Sequence, residues 1–243
     1  VSGSFATYGK NDNMALLFTD ACSAADEDID FSQYDADGDG KVDLVYIIYA
    51  GYGENYSSNN SNYIWPQSGK VSLTETFDGK RIERYGVNNE LFGEESKETQ
   101  YGPRLNGIGL FCHEFCHCLG LPDMYPTGFF SNAIECCNVG LGYYGLMDAG
   151  EYTYNGFRPT ALTCWERATL GWTEIEELTE PCDVTLKTAE RGGKAYKIVN
   201  PVNPDESYLI EQVERSDELW NYYVFADGML VYHIDYDPSA FGL

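Results

Sequence analysis

The stretch Gly107-Ile108-Gly109-Leu110-Phe111-Cys112-His113-Glu114-Phe115-Cys116-His117-Cys118-Leu119-Gly120-Leu121-Pro122-Asp123 constrains this chain more than any other. Two of the chain's three histidines lie in it, in the pattern His-Glu-x-x-His. On a helix, His113 and His117 stand four positions apart, so both imidazoles leave the same side one turn apart. That spacing lets two ring nitrogens reach one tetrahedral zinc ion. Glu114 then falls beside the metal, where it suits a base that holds a water. At about 100° per residue, Ile108, Phe111, Cys112, Phe115 and Leu119 gather on the opposite face. The sequence therefore predicts a buried helix with an apolar back and a metal-facing front. Gly120 predicts a left-handed end, and Pro122 forbids continuation.

A five-residue pattern with three fixed positions also arises by chance, and two further features weigh against that reading. Asp123 extends the pattern to His-x-x-x-His-x-x-Gly-x-x-Asp. A catalytic zinc usually has three protein ligands plus water, and Asp123 is the first side chain after the Gly120 bend able to complete the set. Glu135 and Glu151 are rivals that a folded-back loop could deliver, and Asp123 could instead only cap the turn after Pro122. The second feature is Tyr144-Gly145-Leu146-Met147-Asp148-Ala149-Gly150. It resembles the methionine turn beneath the zinc of metzincin-type peptidases, in which Met147 would pack and not ligate.

A second acidic motif lies upstream. Asp35, Asp37 and Asp39 followed by Gly40 match the opening of a calcium loop. The Lys41 carbonyl and Asp43 would be further ligands. Tyr46 stands where an EF-hand has glutamate, and a β-branched and aromatic run replaces the exiting helix, so the loop is not an EF-hand. A hydrated acidic turn is the alternative, although three aspartates this close repel one another without a cation.

These pieces resemble one family. His113-Glu114-Phe115-x-His117-x-Leu119-Gly120-Leu121-Pro122-Asp123-x-Tyr125 is similar to the immune inhibitor A-like M6 metallopeptidases. So are residues 35–45, the trailing Tyr49-Ala50-Gly51-Tyr52-Gly53-Glu54, Ile64-Trp65-Pro66, and the strand Gly228-Met229-Leu230-Val231-Tyr232-His233-Ile234-Asp235. The resemblance runs from about residue 29 to 237, in the family's order. Cys116 departs from it, where the family has a small residue such as glycine or serine. The resemblance implies an α+β, zincin/metzincin-like catalytic domain. It would have a twisted mixed sheet, an active-site helix, a methionine turn and a β-rich C-terminal extension. Residues 1–177 would form the catalytic domain, its upper part ending near 120, and 178–243 the β-rich continuation. It also makes residues 84–89 an edge strand for an extended substrate, with a plain structural hairpin as the equal alternative.

Elsewhere, residues 14–25 have helical apolar spacing. Residues 43–49 read as a strand covered on both faces, followed by a turn at 51–54. Residues 71–77 and 80–87 read as a hairpin around Asp78-Gly79. Residues 56–63 and 125–142 read as loops, and 160–170 as a helix behind Pro159. Residues 178–184 take strand and turn character, and 195–199, 208–213 and 229–235 read as strands. His233 shares a strand face with Val231 and is expected to be structural.

A formal charge of −24 argues against nucleic acid and anionic membranes as partners. Neither an apolar run of membrane-spanning length nor a signal peptide is evident. The chain starts at Val1 and stops soon after a strand. It reads as a piece of a longer exported precursor, secreted or cell-surface, flanked by a propeptide and further domains. Of the eight cysteines, Cys112 and Cys116 read as buried thiols and Cys118, Cys136 and Cys137 as disulfide candidates. A cysteine-ligated metal has the wrong spacing for a zinc finger.

The leading expectation is a zinc endopeptidase acting on protein or peptide substrates, with Zn2+ catalytic and Ca2+ structural. Glu114 would be general base and then acid. Tyr152, shortly after Met147, is the oxyanion candidate by position alone. The alternatives are a catalytically idle zincin-fold binding or structural domain, and a zinc hydrolase acting on amides outside proteins.

Overall fold

The structure, a computed structural model, describes residues 13–56, 62–95, 102–125 and 140–241. The chain divides into two compact units, residues 1–118 and 119–242. The loop at 57–61, most of the loop after Tyr125, Glu135, Cys136 and Cys137 lie outside the described residues.

In the first unit, α1 (Met14–Ala25) has the bounds its apolar spacing predicts and buries Met14, Leu17, Phe18 and Cys22. Phe18 is fully buried, its ring 4.9 Å from that of Tyr85. Two short strands, β1 (Lys41–Val42) and β4 (Arg81–Ile82), pair in parallel. The larger sheet has β5 (Arg84–Leu91) between β2 (Val45–Tyr52), its parallel neighbour, and β3 (Gln67–Lys70), its antiparallel one. Helix α2 (Ile108–Cys118) closes the unit.

Three expectations change here. Residues 84–89 are not a free edge, because β5 is central and its backbone groups serve ladders to β2 and β3. The strand expected at 43–49 starts at Val45 and runs into the first half of the expected turn, ending at Tyr52. It is itself an edge of this sheet, and Ile48 on it is exposed, so its apolar run does not mean two covered faces. The Asp78-Gly79 turn forms, with both residues at positive φ and reciprocal Phe77–Lys80 backbone bonds of 2.9 and 2.8 Å. Its flanks do not zip further as expected, since the antiparallel partner of β5 is β3.

Gly86 is set by packing. It pairs with Tyr46 across the ladder, and a Cβ there would stand 2.3 Å from the Tyr46 ring and 3.2 Å from Cys118 Sγ. Gly86→Val is expected to cost about 1–3 kcal/mol of stability through overpacking. Denaturant unfolding measures it, and an unchanged midpoint would mean that the ring is free to swing away.

In the second unit, the helix expected at 160–170 shortens to α3 (Cys164–Thr169). Pro159 does not start it. Thr163 does, through a capping box in which its hydroxyl accepts the Glu166 N–H and Glu166 accepts the Thr163 N–H. Strands β6 (Ile175–Glu177), β7 (Ala195–Val199), β8 (Glu206–Val213) and β9 (Gly228–Asp235) make one sheet in that order, parallel only at β6/β7. Three of these lie close to their predicted positions. Residues 178–184 form no strand; β6 precedes them. Cys164, Ala195, Leu209 and Tyr232 form one core cluster of this unit. The described residues thus combine helices with mixed sheets, and none of their helices is long and apolar enough to cross a membrane.

Candidate metal centre

Helix α2 buries Gly109, Leu110, His113, Glu114, Cys116 and Cys118. The expected apolar back is more open than expected: Ile108 and Leu119 are exposed, and Phe111, Cys112 and Phe115 only partly covered. Phe111 and Phe115 stack on each other at 5.6 Å, and Phe111 meets Tyr46 edge-on at 4.8 Å. The helix therefore buries His113 and Glu114 more fully than Phe111 and Phe115, while His117 is only partly covered. A guanidinium N–H of Arg84 donates to the Cys118 carbonyl at the C-terminal end, where a cation complements the helix dipole. Gly120 follows at φ +106°, the left-handed bend its position predicts.

His113 Nε2 and His117 Nε2 face each other at 3.1 Å, their rings at 89°. Two nitrogens each about 2.0–2.1 Å from a tetrahedral zinc would stand roughly 3.3–3.4 Å apart, so the pair fits that ion with little adjustment. The turn after the helix carries Asp123 round, and ligand atoms of His113, His117 and Asp123 lie within 4.8 Å of one another. Two imidazoles and a carboxylate are donors suited to zinc. Glu151 is buried but stands outside that group. His233 lies on β9, its Nε2 2.9 Å from Glu206 Oε1 and its ring 5.1 Å from that of Tyr208.

Met147 is fully buried in a tight turn, where the Gly145 carbonyl accepts the Asp148 and Gly150 N–H groups at 3.2 and 2.9 Å. Its own N–H donates to Glu166 Oε1 at 3.2 Å, and its carbonyl accepts the Met124 N–H at 2.7 Å. Asp148 accepts the N–H groups of Ala149 and Gly142 at 2.7 and 2.6 Å. Burial raises the Glu166 carboxyl above its usual range, against the hydrogen bonds it accepts. Sequence reading missed Glu166. Thr163-x-x-Glu166 is a legible capping box, but nothing local ties it to Met147. Tyr152 sits in the 3-10 segment Ala149–Gly156 and is 37% exposed.

The upstream loop brings Asp35, Asp37 and Asp39 together, with carboxylate oxygens within 4.8 Å of one another. Gly38 and Gly40 take positive φ to make the bend. The Asp35 side chain is only 1% exposed. Its Oδ2 takes the Lys80 ammonium at 2.6 Å and the Gly40 N–H at 3.1 Å, while its Oδ1 is buried without a hydrogen-bond partner. Lys80 holds this carboxyl below the usual range. Asp43 is outside the group of three; its Oδ2 accepts the Ala36 N–H at 3.2 Å. Lys41 donates its N–H to Asp39 Oδ1 at 2.9 Å.

Cys118 is a free thiol, not the expected half of a disulfide. Its Sγ is packed between helix and strand, 3.5 Å from the Tyr85 carbonyl, and burial pushes its pKa up to about 11. Cys112 is also a free thiol, partly covered, and Cys116 is buried.

Comparison with known proteins places this chain in a family. Residues 6–173 match the catalytic-domain model of the immune inhibitor A peptidase M6 family. The chain belongs to that metallopeptidase family. It is also similar to the pre-pro-metalloprotease PrtV of two Vibrio cholerae serotype O1 strains, M66-2 and El Tor Inaba N16961. Each is 27% identical over 228 residues, covering 81% of this chain and 24% of the relative. The chain thus spans about a quarter of the length of these relatives.

Proposed function

We propose that this chain is a zinc-dependent endopeptidase domain, with His113, His117 and Asp123 holding the metal and Glu114 carrying the proton. The observation that supports it most is the convergence of two imidazole Nε2 atoms and one carboxylate beside a buried glutamate. Zinc, when bound, would supply a Lewis acid that polarises the scissile carbonyl and acidifies a neighbouring water toward neutral pH. Glu114 takes the proton of the attacking water and hands it to the leaving amine. Its burial keeps that carboxylate out of bulk water. Tyr152 is assigned to the oxyanion, on its half-exposed ring shortly after Met147. Met147 forms a methionine turn and packs without ligating.

The substrate is a protein or peptide; the charge of −24 disfavours nucleic acid. The relatives are named as pre-pro-metalloproteases, which supports an exported protein with a propeptide and further domains. The test is a mass-spectrometric screen of a denatured protein mixture. Internal bonds should be cut, and a zinc chelator should stop the cutting. Full cleavage in chelator, or none in its absence, overturns the proposal.

The reading extends to a structural calcium held by Asp35, Asp37 and Asp39, with Asp43 and the Lys41 carbonyl as further ligands. It is supported by the buried Asp35 Oδ1, which lacks a donor within a cluster of three carboxylates. Calcium at about 100 times its Kd would stabilise the fold by about 2.7 kcal/mol. That corresponds to a melting rise of roughly 5–10 °C for a chain this size. A calcium-selective chelator should remove the rise, and an unchanged midpoint removes the claim.

A further inference from the structure

The structure assigns a further role to Glu166: we infer that it is a positioning residue, holding Asp123 in place through the peptide groups of Met147. This rests on the reading of Asp123 as a zinc ligand. The link has three members. The Glu166 carboxylate, with no exposed surface, accepts the Met147 N–H on Oε1 and the Thr163 N–H on Oε2. The same peptide chain offers the Met147 carbonyl to the N–H of Met124 at 2.7 Å. Met124 is the residue next to Asp123. A second contact fixes the same segment from the other side. A Cβ on Gly140 would stand 2.5 Å from the Met124 carbonyl oxygen and 2.2 Å from Asp148 Oδ2, so only glycine lets this backbone close on the Met124 carbonyl and the Asp148 carboxylate. Asp148, next to Met147, ties the Gly142 N–H into the block.

A capping box does not require this placement. Thr163 and Glu166 would cap α3 equally well with Oε1 turned toward solvent. Here the side chain is wholly buried against desolvation that disfavours its charge, and the Met147 N–H receives the oxygen left over from the cap. The ligand that gains is an aspartate on an irregular segment. Unlike His113 and His117, it has no helix to set its direction. Partners of this kind fix ligand orientation, and their loss typically weakens metal affinity about 10–100-fold.

Glu166→Gln keeps the volume but offers one carbonyl oxygen where two N–H groups need acceptors. The experiment measures the zinc Kd of the full chain by competition with a chelator, in a double-mutant cycle with Asp123→Ala. Glu166→Gln should weaken zinc by about tenfold or more in the parent and have little effect in the Asp123→Ala background. Thr163→Val, which removes the hydroxyl side of the cap and leaves the Met147 bond, should lower the melting temperature without changing the zinc Kd. Gly140→Ala pushes on Met124 without touching Glu166, and it should reproduce the zinc loss with the same dependence on Asp123; it serves if Glu166→Gln does not fold. Equal weakening with and without Asp123 would mean a general loss of structure and overturn the assignment. So would zinc loss in Thr163→Val matching that of Glu166→Gln. If Asp123→Ala alone leaves zinc binding intact, it is the ligand reading that fails, and the cycle shows this separately.

Discussion

Glu114→Ala is expected to fold, to bind zinc like the parent, and to lose hydrolysis by a factor of about 10²–10⁴ or more. The side chain lies one position from His113 on α2, buried, and outside the group formed by His113, His117 and Asp123. On the proposed mechanism, its removal takes away the proton carrier and leaves His113, His117 and Asp123 in place. The comparison needs kcat on a cleavable peptide and zinc content by elemental analysis on the same preparation. Activity equal to the parent's ends the proposed proton transfer. Loss of zinc together with activity makes Glu114 a ligand instead.

Asp123→Ala has the second large effect, on affinity. On the proposed ligand set, taking away Asp123 leaves two imidazoles, which is short of the usual catalytic set. Zinc affinity should fall by well over the roughly tenfold typical of lost orienting partners. Asp123→His should largely restore it, because an imidazole nitrogen binds zinc at about the distance of a carboxylate oxygen. Glu151→Ala and Glu135→Ala should leave affinity unchanged. If either glutamate variant loses zinc while Asp123→Ala keeps it, the third ligand belongs to the loop that follows.

The parts that were legible in the sequence are those fixed by local periodicity. Helix α1 has the bounds its apolar spacing predicted, and β7, β8 and β9 stand within a few residues of their β-branched runs. His113 and His117 were legible because four residues of helix dictate where two rings point. What failed depends on partners distant in sequence. The place of β5 between two neighbours, which denies residues 84–89 an edge, follows from β2 and β3, and no pattern within β5 reports them. The coverage of α2 was misjudged for a similar reason. Helical periodicity marks an apolar face, but it does not report which side chains the rest of the fold covers: His113 and Glu114 are buried, while Ile108 and Leu119 are left exposed. Glu166 escaped notice because a capping box is a local device, and its second use reaches residue 147 across a turn.

The account is tested most directly by returning zinc to the metal-free protein while following cleavage of a peptide substrate. It predicts no cleavage without metal, a rise in rate with added zinc, and a plateau at about one bound ion per chain, since one set of three ligands holds one metal. Cleavage at the full rate by the metal-free chain, or a protein that binds one zinc and cuts no peptide at any zinc level, would contradict it.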